Sequence, residues 1–169
     1  MNYRTQPALI LDYDGTIRRS KSGTFIQSPE DIELLPGVEA RIWEYRKNDF
    51  LVAGLSNQGG AAHGFKTLEQ VTAEFKATHA LFDVCPIEFL SFCPFMEDGT
   101  VETYSFRSLL RKPHYGGLVH IEQEARMVGR IIDWDRSLLV GDREEDRLCA
   151  EAAGIRFEWA KDFFQFELT

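Results

Sequence analysis

Short unbroken apolar runs alternate with amphipathic stretches along this chain. Apolar runs occupy 8–11, 50–55, 87–92 and 137–140, and 155–159 reads as a fifth. Runs of this length, bounded by Gly or polar residues, suit strands of a parallel sheet covered on both faces. Between them the period lengthens to that of a helix. Val38, Ile42 and Tyr45 follow Pro36-Gly37 at spacings of four and three. Thr67 and Gln70 form a capping-box pattern that opens a stretch with Leu68, Val71, Phe75 and Thr78 on one face. Leu118, Ile121, Ala125, Val128 and Ile132 make a longer stripe, and 144–153 reads as a short helix stopped by Gly154. Strand and helix in alternation predict an α/β fold, a three-layer α/β/α sandwich around a parallel sheet. The segment 15–27 is too polar and too rich in Gly and Ser for a buried helix, and reads as a flap or hairpin beyond the first strand.

At 169 residues, without repeats or low-complexity linkers, the chain reads as one domain spanning 1–169. Apolar residues make up 44% and charged residues 27%, as in soluble globular proteins. No apolar run approaches the ~20 residues that span a bilayer. Residues 1–7 lack the apolar core of a signal peptide, so a cytoplasmic protein with no membrane partner is expected. A net charge of −8 argues against broad nucleic-acid binding but leaves room for a local basic pocket around one phosphate. The three cysteines, Cys85, Cys93 and Cys149, are odd in number and widely spaced, and read as small buried residues.

In open α/β sheets, ligands bind beyond the carboxyl ends of the strands. Three of the four main predicted strands end there in a functional group: Asp12, Ser56 and Asp142. Asp12 and Asp14 flank a turn made possible by Gly15. Two adjacent carboxylates repel each other and an incoming phosphate, and Mg2+, which takes oxygen ligands, would relieve that repulsion. Read alone, Asp14-Gly15 is also ordinary turn chemistry. In 56–60 the Ser56 hydroxyl, Asn57 and free backbone N–H groups can hold phosphate oxygens. Lys112, beside Arg111 and before a helix, can meet a phosphate as a point charge. Asp142 can supply a third carboxylate to a metal. Asp146 either faces the site from the first turn of its helix or serves as a favourable acid at the helix N-terminus.

These elements, in this order, resemble the haloacid dehalogenase (HAD) superfamily of phosphatases, in its branch of histidinol phosphatase and D-glycero-D-manno-heptose 1,7-bisphosphate phosphatase. DYDGT at 12–16, LPGV at 35–38, SNQGG at 56–60, RKP at 111–113 and GDREED at 141–146 carry the likeness. It implies hydrolysis of a phosphomonoester, a small metabolite such as a sugar phosphate or histidinol phosphate. Asp12 would be the nucleophile that forms an aspartyl-phosphate, and Asp14 the acid and then the base. Asp12, Asp142 and the Asp14 carbonyl would hold Mg2+. Ser56 and Lys112 would bind the phosphoryl group, and Arg111 the substrate beyond it. No long insertion separates the motifs, so no large cap domain is expected.

The chain departs from that branch in its zinc loop. Cys93 is present, but Phe95 stands in place of a histidine, and Ser108 and Leu110 in place of cysteines. A structural zinc needs about four N or S ligands, so no zinc is expected. Phe92, Phe95, Tyr104 and Phe106 offer apolar burial instead. His63 stands where relatives often carry arginine. His63 and His114 are the histidines that can touch substrate, whereas His79 and His120 read as surface or packing residues. Phe157, Trp159, Phe163, Phe164 and Phe166 are expected to pack over the last strand, with a dimer contact as the rival, so a monomer or weak dimer is expected. Two other functions stay open at this point: a nucleic-acid 3′-end phosphatase and a non-catalytic phosphate-binding module.

Overall fold

The computed structural model describes residues 3–165. Its strands are β1 (Arg4–Gln6), β2 (Ala8–Leu11), β3 (Arg18–Ser20), β4 (Ile32–Leu34), β5 (Leu51–Asn57), β6 (Phe89–Cys93), β7 (Arg130–Ile132), β8 (Leu138–Gly141) and β9 (Arg156–Trp159). Its helices are α1 (Val38–Lys47), α2 (Leu68–Ala80), α3 (Gly116–Met127), α4 (Glu144–Ala153) and α5 (Ala160–Phe164). Five strands make the central sheet in the order β6-β5-β2-β8-β9, all parallel. The first strand of that sheet, β2, is therefore its middle, with Leu11 in register with Gly54 on one side and Val140 on the other.

The apolar runs are unbroken because each strand feeds two cores. Successive side chains point to opposite faces. Ala8 and Ile10 of β2, with Leu51, Ala53 and Leu55 of β5 and Leu139 of β8, join Leu118, Ile121 and Ala125 of α3 and Cys149 and Ala150 of α4. Leu9 and Leu11, with Val52, Leu138 and Val140, join Val38 and Ile42 of α1, Val71 and Phe75 of α2 and Phe163 of α5. Each large side chain buried in this way stabilises the fold by roughly 1.5–3 kcal/mol relative to leaving it in water. The three-layer sandwich is thus as expected, and no large cap domain is evident among the described residues.

Local signals were honoured where a side chain could act on its own backbone. Thr67 Oγ1 accepts from the Gln70 N–H (3.2 Å) and Gln70 Oε1 accepts from the Thr67 N–H (2.8 Å), which starts α2. Gly154, left-handed, ends α4. Two expectations fail. The stripe through Val128 and Ile132 is not one helix: α3 stops at Met127, Val128 is exposed, and Gly129 (φ 78°) turns the chain into β7, which carries Ile132. Helical spacing ran on by coincidence across a residue that reverses the chain. Leu68, the first residue of α2, is partly exposed rather than on the core face with Val71, Phe75 and Thr78.

The polar segment after β2 does form a hairpin, β3 against β4. Its connection folds around Asp31, whose carboxylate accepts from Ser20 Oγ (2.8 Å), the Ser22 N–H (2.9 Å) and the Gln27 N–H (3.1 Å). At the C-terminal end, Phe163 and Phe164 are buried, with Phe163 packed on Tyr45, while Phe157 and Trp159 meet edge to face on β9. Phe166 lies outside the described residues. No helix among the described residues is long and apolar enough to cross a membrane.

Candidate active site

The sheet grows from β2 towards β5 and β6 on one side and β8 and β9 on the other. The connections that leave the carboxyl ends of the neighbouring strands β2 and β8 therefore run to opposite sides, and a crevice opens between them. Asp12 follows β2 directly, and its N–H donates to the Val140 carbonyl (3.0 Å). Ser56, buried, and Asn57 end β5, and Asp142 follows β8.

Lys112 reaches the same point from the loop before α3 and is buried. Its Nζ donates to Asp12 Oδ1 (2.6 Å) and to the Leu55 carbonyl (3.0 Å), and pairs with Asp146 Oδ1 (2.5 Å). Burial alone would pull the Lys112 pKa down, but Asp12 and Asp146 outweigh it and hold the ammonium charged, above the usual lysine range. Asn57 seats this lysine. Its Nδ2 donates to the Lys112 carbonyl (3.0 Å) and its Oδ1 accepts from the Lys112 N–H (3.0 Å). The side chain expected at the phosphate thus has both ends of its amide on the lysine backbone.

Gly15 is left-handed (φ 87°), and a Cβ there would strike the Asp142 carboxylate. Glycine lets the two strand ends close on each other. One carboxylate oxygen each from Asp12, Asp142 and Asp146 lies within 4.8 Å of the other two. Three carboxylates thus face one ammonium, which leaves two negative charges, the charge a divalent cation would offset. Burial pushes the Asp12 carboxyl up to about 6 against the pull of Lys112. Burial and then the Asp12 charge push Asp142 up to about 6, and burial also raises Asp146. Asp146 is fully buried and also accepts from the Arg143 N–H (3.0 Å) at the start of α4. Both sequence readings of Asp146, facing the site and opening its helix, are therefore satisfied together. Asp142 is the exposed member of the three, Asp12 and Asp146 being buried, and three carboxylate oxygens so close together suit a hard cation such as Mg2+.

Asp14 lies in the turn, and Gln58 Nε2 bridges Asp14 Oδ2 (2.8 Å) and Ser56 Oγ (2.9 Å). Arg18 Nε donates to Asp14 Oδ1 (2.7 Å). Burial works to raise the Asp14 pKa, but Arg18, helped by Gln58 and Lys66, brings it below the usual carboxylate value. Sequence reasoning assigned no role to Arg18 or Gln58. The available signal for Arg18 was its position four residues after Asp14, hidden inside a segment read as a polar flap.

Beyond Lys112 opens a cavity of about 710 Å³ lined by Met96, Phe106, Arg107, Arg111 and His114 among others. Among the described residues neither Arg107 nor Arg111 has a carboxylate partner, although Arg111 Nη1 donates to the Phe95 carbonyl (3.4 Å). His63 is not among the lining residues and stacks on the exposed Phe65 (5.7 Å between centroids). The loop between β6 and α3 is packed by Phe95 against Phe106 (4.4 Å) and Tyr104 (6.1 Å), with the buried Cys93 Sγ donating to the Phe95 carbonyl (3.6 Å). Of the other histidines, His79 is bonded to the Tyr13 hydroxyl (2.7 Å) and His120 lies 4.0 Å from Glu124 near the surface.

Known proteins share this architecture. D,D-heptose 1,7-bisphosphate phosphatase of B. bronchiseptica, solved with magnesium and phosphate, superposes with a TM-score of 0.70 at 26% identity, covering 89% of this chain and 78% of that one. A Mesorhizobium loti structure assigned to the HAD-like phosphatases gives a TM-score of 0.74 at 25% identity, over 92% of this chain and 72% of that one. D-glycero-beta-D-manno-heptose-1,7-bisphosphate 7-phosphatase of Yersinia pestis is 30% identical over 88% of this chain and 77% of its own length. Fold, site and likeness together define a HAD-like phosphatase. Within that class the chain belongs to the polynucleotide kinase 3 phosphatase family, whose profile matches residues 8–164.

Proposed function

We propose that this chain is a Mg2+-dependent phosphomonoester hydrolase acting on a phosphorylated sugar through an aspartyl-phosphate on Asp12. The observation that carries this reading is the meeting of Asp12, Ser56, Lys112 and Asp142 at neighbouring strand ends, with the Lys112 ammonium on the Asp12 carboxylate. Asp14, which Arg18 keeps ionised in the free protein, takes up a proton as the anionic phosphate ester binds beside it. Asp12 then attacks phosphorus as the bond to the leaving oxygen breaks, and Asp14 gives that oxygen its proton. Water then attacks the phosphorus, Asp14 takes a proton from it, and the bond to Asp12 breaks to release inorganic phosphate. Ser56 and Lys112 bind the phosphoryl oxygens, where fixed positive charge counts most.

Asp12, Asp142 and the Asp14 carbonyl are the residues that would hold Mg2+, and the uncompensated negative charge at the strand ends supports that choice. Bound there, Mg2+ supplies the positive charge that offsets repulsion between an anionic nucleophile and an anionic phosphate. Arg107 and Arg111, which line the cavity together with Glu97 and Asp98 and have no carboxylate partner among the described residues, can meet a leaving group that carries a second anion. The sugar bisphosphate named for the relatives fits that description.

A second reading, removal of a 3′-phosphate from a nucleic-acid end, is favoured by the name of the family. The net charge of −8 weighs against it. One experiment addresses both: phosphate release, with and without Mg2+, from sugar mono- and bisphosphates, histidinol phosphate, nucleotides and a 3′-phosphorylated oligonucleotide. We expect turnover of a sugar phosphate that needs Mg2+ and that Asp12→Asn reduces by at least about 10³-fold, a loss of more than 4 kcal/mol of transition-state stabilisation. A faster oligonucleotide would favour the second reading. Release unchanged in Asp12→Asn would end the first.

A further inference from the structure

Arg18 is an arginine with no accessible surface. A buried guanidinium is costly unless its charge and its N–H groups are met. Nη1 donates to Thr78 Oγ1 (2.8 Å) and to the Glu74 carbonyl (3.2 Å), both on α2. The group also lies 5.3 Å from the centre of the Tyr13 ring and 5.0 Å from that of Phe75. These contacts leave its plane no freedom. The Glu74 carboxylate is 4.0 Å from Nη2 but is held closer by Lys66 (2.7 Å). The nearest anion to Arg18 is therefore Asp14, met by Nε at 2.7 Å and Nη2 at 3.4 Å.

If packing between hairpin and α2 were the sole requirement, an apolar side chain of similar volume would serve at least as well. What the arginine adds is a fixed donor pair aimed at one carboxylate. Asp14 needs one: it sits in a turn, and its side chain is 37% exposed. Gln58 holds its other oxygen and ties it to Ser56. We infer that Arg18 is a positioning residue: anchored on α2 by Thr78, Glu74 and the Tyr13 and Phe75 rings, it fixes the Asp14 carboxylate, with Gln58, beside the phosphate-binding Ser56. This rests on the phosphatase reading, in which Asp14 carries the proton. Groups on rigid elements, locked by a supporting layer, hold reacting geometry better than groups on a free turn.

The test uses Thr78→Val, which deletes one anchoring hydroxyl away from the substrate, with Arg18→Lys and Arg18→Gln. Each is assayed with the alkyl phosphate that the wild type turns over best and with p-nitrophenyl phosphate, and each is melted. An aryl oxygen departs without a proton, whereas an alkyl oxygen needs one. Misplacing Asp14 should therefore lower kcat/KM for the alkyl ester, by roughly ten- to a hundredfold in Arg18→Gln, and leave kcat/KM for the aryl ester within about twofold. Attack by water needs Asp14 in both cases, so kcat should fall for both esters. Thr78→Val should show the same pattern at smaller amplitude, and Arg18→Lys should recover part of the loss. Should Arg18→Gln not fold, Thr78→Val and Arg18→Lys carry the test. Folded variants with lower melting temperatures but wild-type kinetics, or with equal losses of kcat/KM on both esters, would make Arg18 a structural residue and overturn the inference. Wild-type protein with no Asp12-dependent turnover would instead remove the phosphatase reading beneath it.

Discussion

Lys112 stands alone among three carboxylates, and this imbalance sets how the site responds to pH. Asp12 and Asp142 are both raised from 3.8 to about 6, and Asp146 is raised too. The folded, metal-free protein thus binds more protons than the unfolded chain between about pH 4 and pH 6, so these groups contribute stability at low pH that is lost as pH rises through that window. Above it the carboxylates are ionised and ready for a cation. Differential melting with and without Mg2+ should give a small upward shift near about pH 5 and a larger one near about pH 7.5. In Asp142→Asn most of that gain should vanish. Equal shifts at both pH values would contradict the assignment of these carboxylates to a metal.

Among the elements, the strands of the sheet were the most legible. Ala8–Leu11 and Glu144–Ala153 fall where periodicity put them, because burial on two faces leaves only apolar residues in the first and a glycine stop marks the second. The Arg4–Gln6 and Arg130–Ile132 pair was not legible: three residues carry too little periodicity, and each strand forms only through its distant partner. At the site, Asp12, Ser56, Lys112 and Asp142 were readable because strand ends and motif order marked them. Arg18 and the seating role of Asn57 were not, since both act through contacts with residues far along the chain. The loop between β6 and α3 is packed by Phe95, Tyr104 and Phe106. Phe95→Ala removes the ring at the centre of that cluster, beside the carbonyl that Arg111 binds. Steady-state kinetics should show KM raised several-fold with kcat changed little, since Asp12 and Lys112 lie outside the cluster. A loss confined to kcat would mean that the loop does not shape the leaving-group side.

The whole molecule is held at its centre by Tyr13, the residue between the two site aspartates. It is fully buried, meets Phe75 edge to face (4.8 Å) and bonds His79. Gly54 on the neighbouring strand makes room for the ring, since a Cβ at that position would strike it. Gly54→Ala should cost about 1–3 kcal/mol by overpacking, read as a fall of roughly 2–12 °C in melting temperature. An unchanged melting temperature would show that the ring can yield. The hydrogen bond from Lys112 to Asp12 joins positions 100 residues apart. The functional groups are spread over four connections, after β2, β5, β6 and β8, so the site has no local version: a fragment that keeps one motif lacks the rest of the site. Activity in this chain is therefore a readout of global assembly, and a lesion anywhere in the sheet that opens β2 to slippage reaches the candidate site without touching one of its residues.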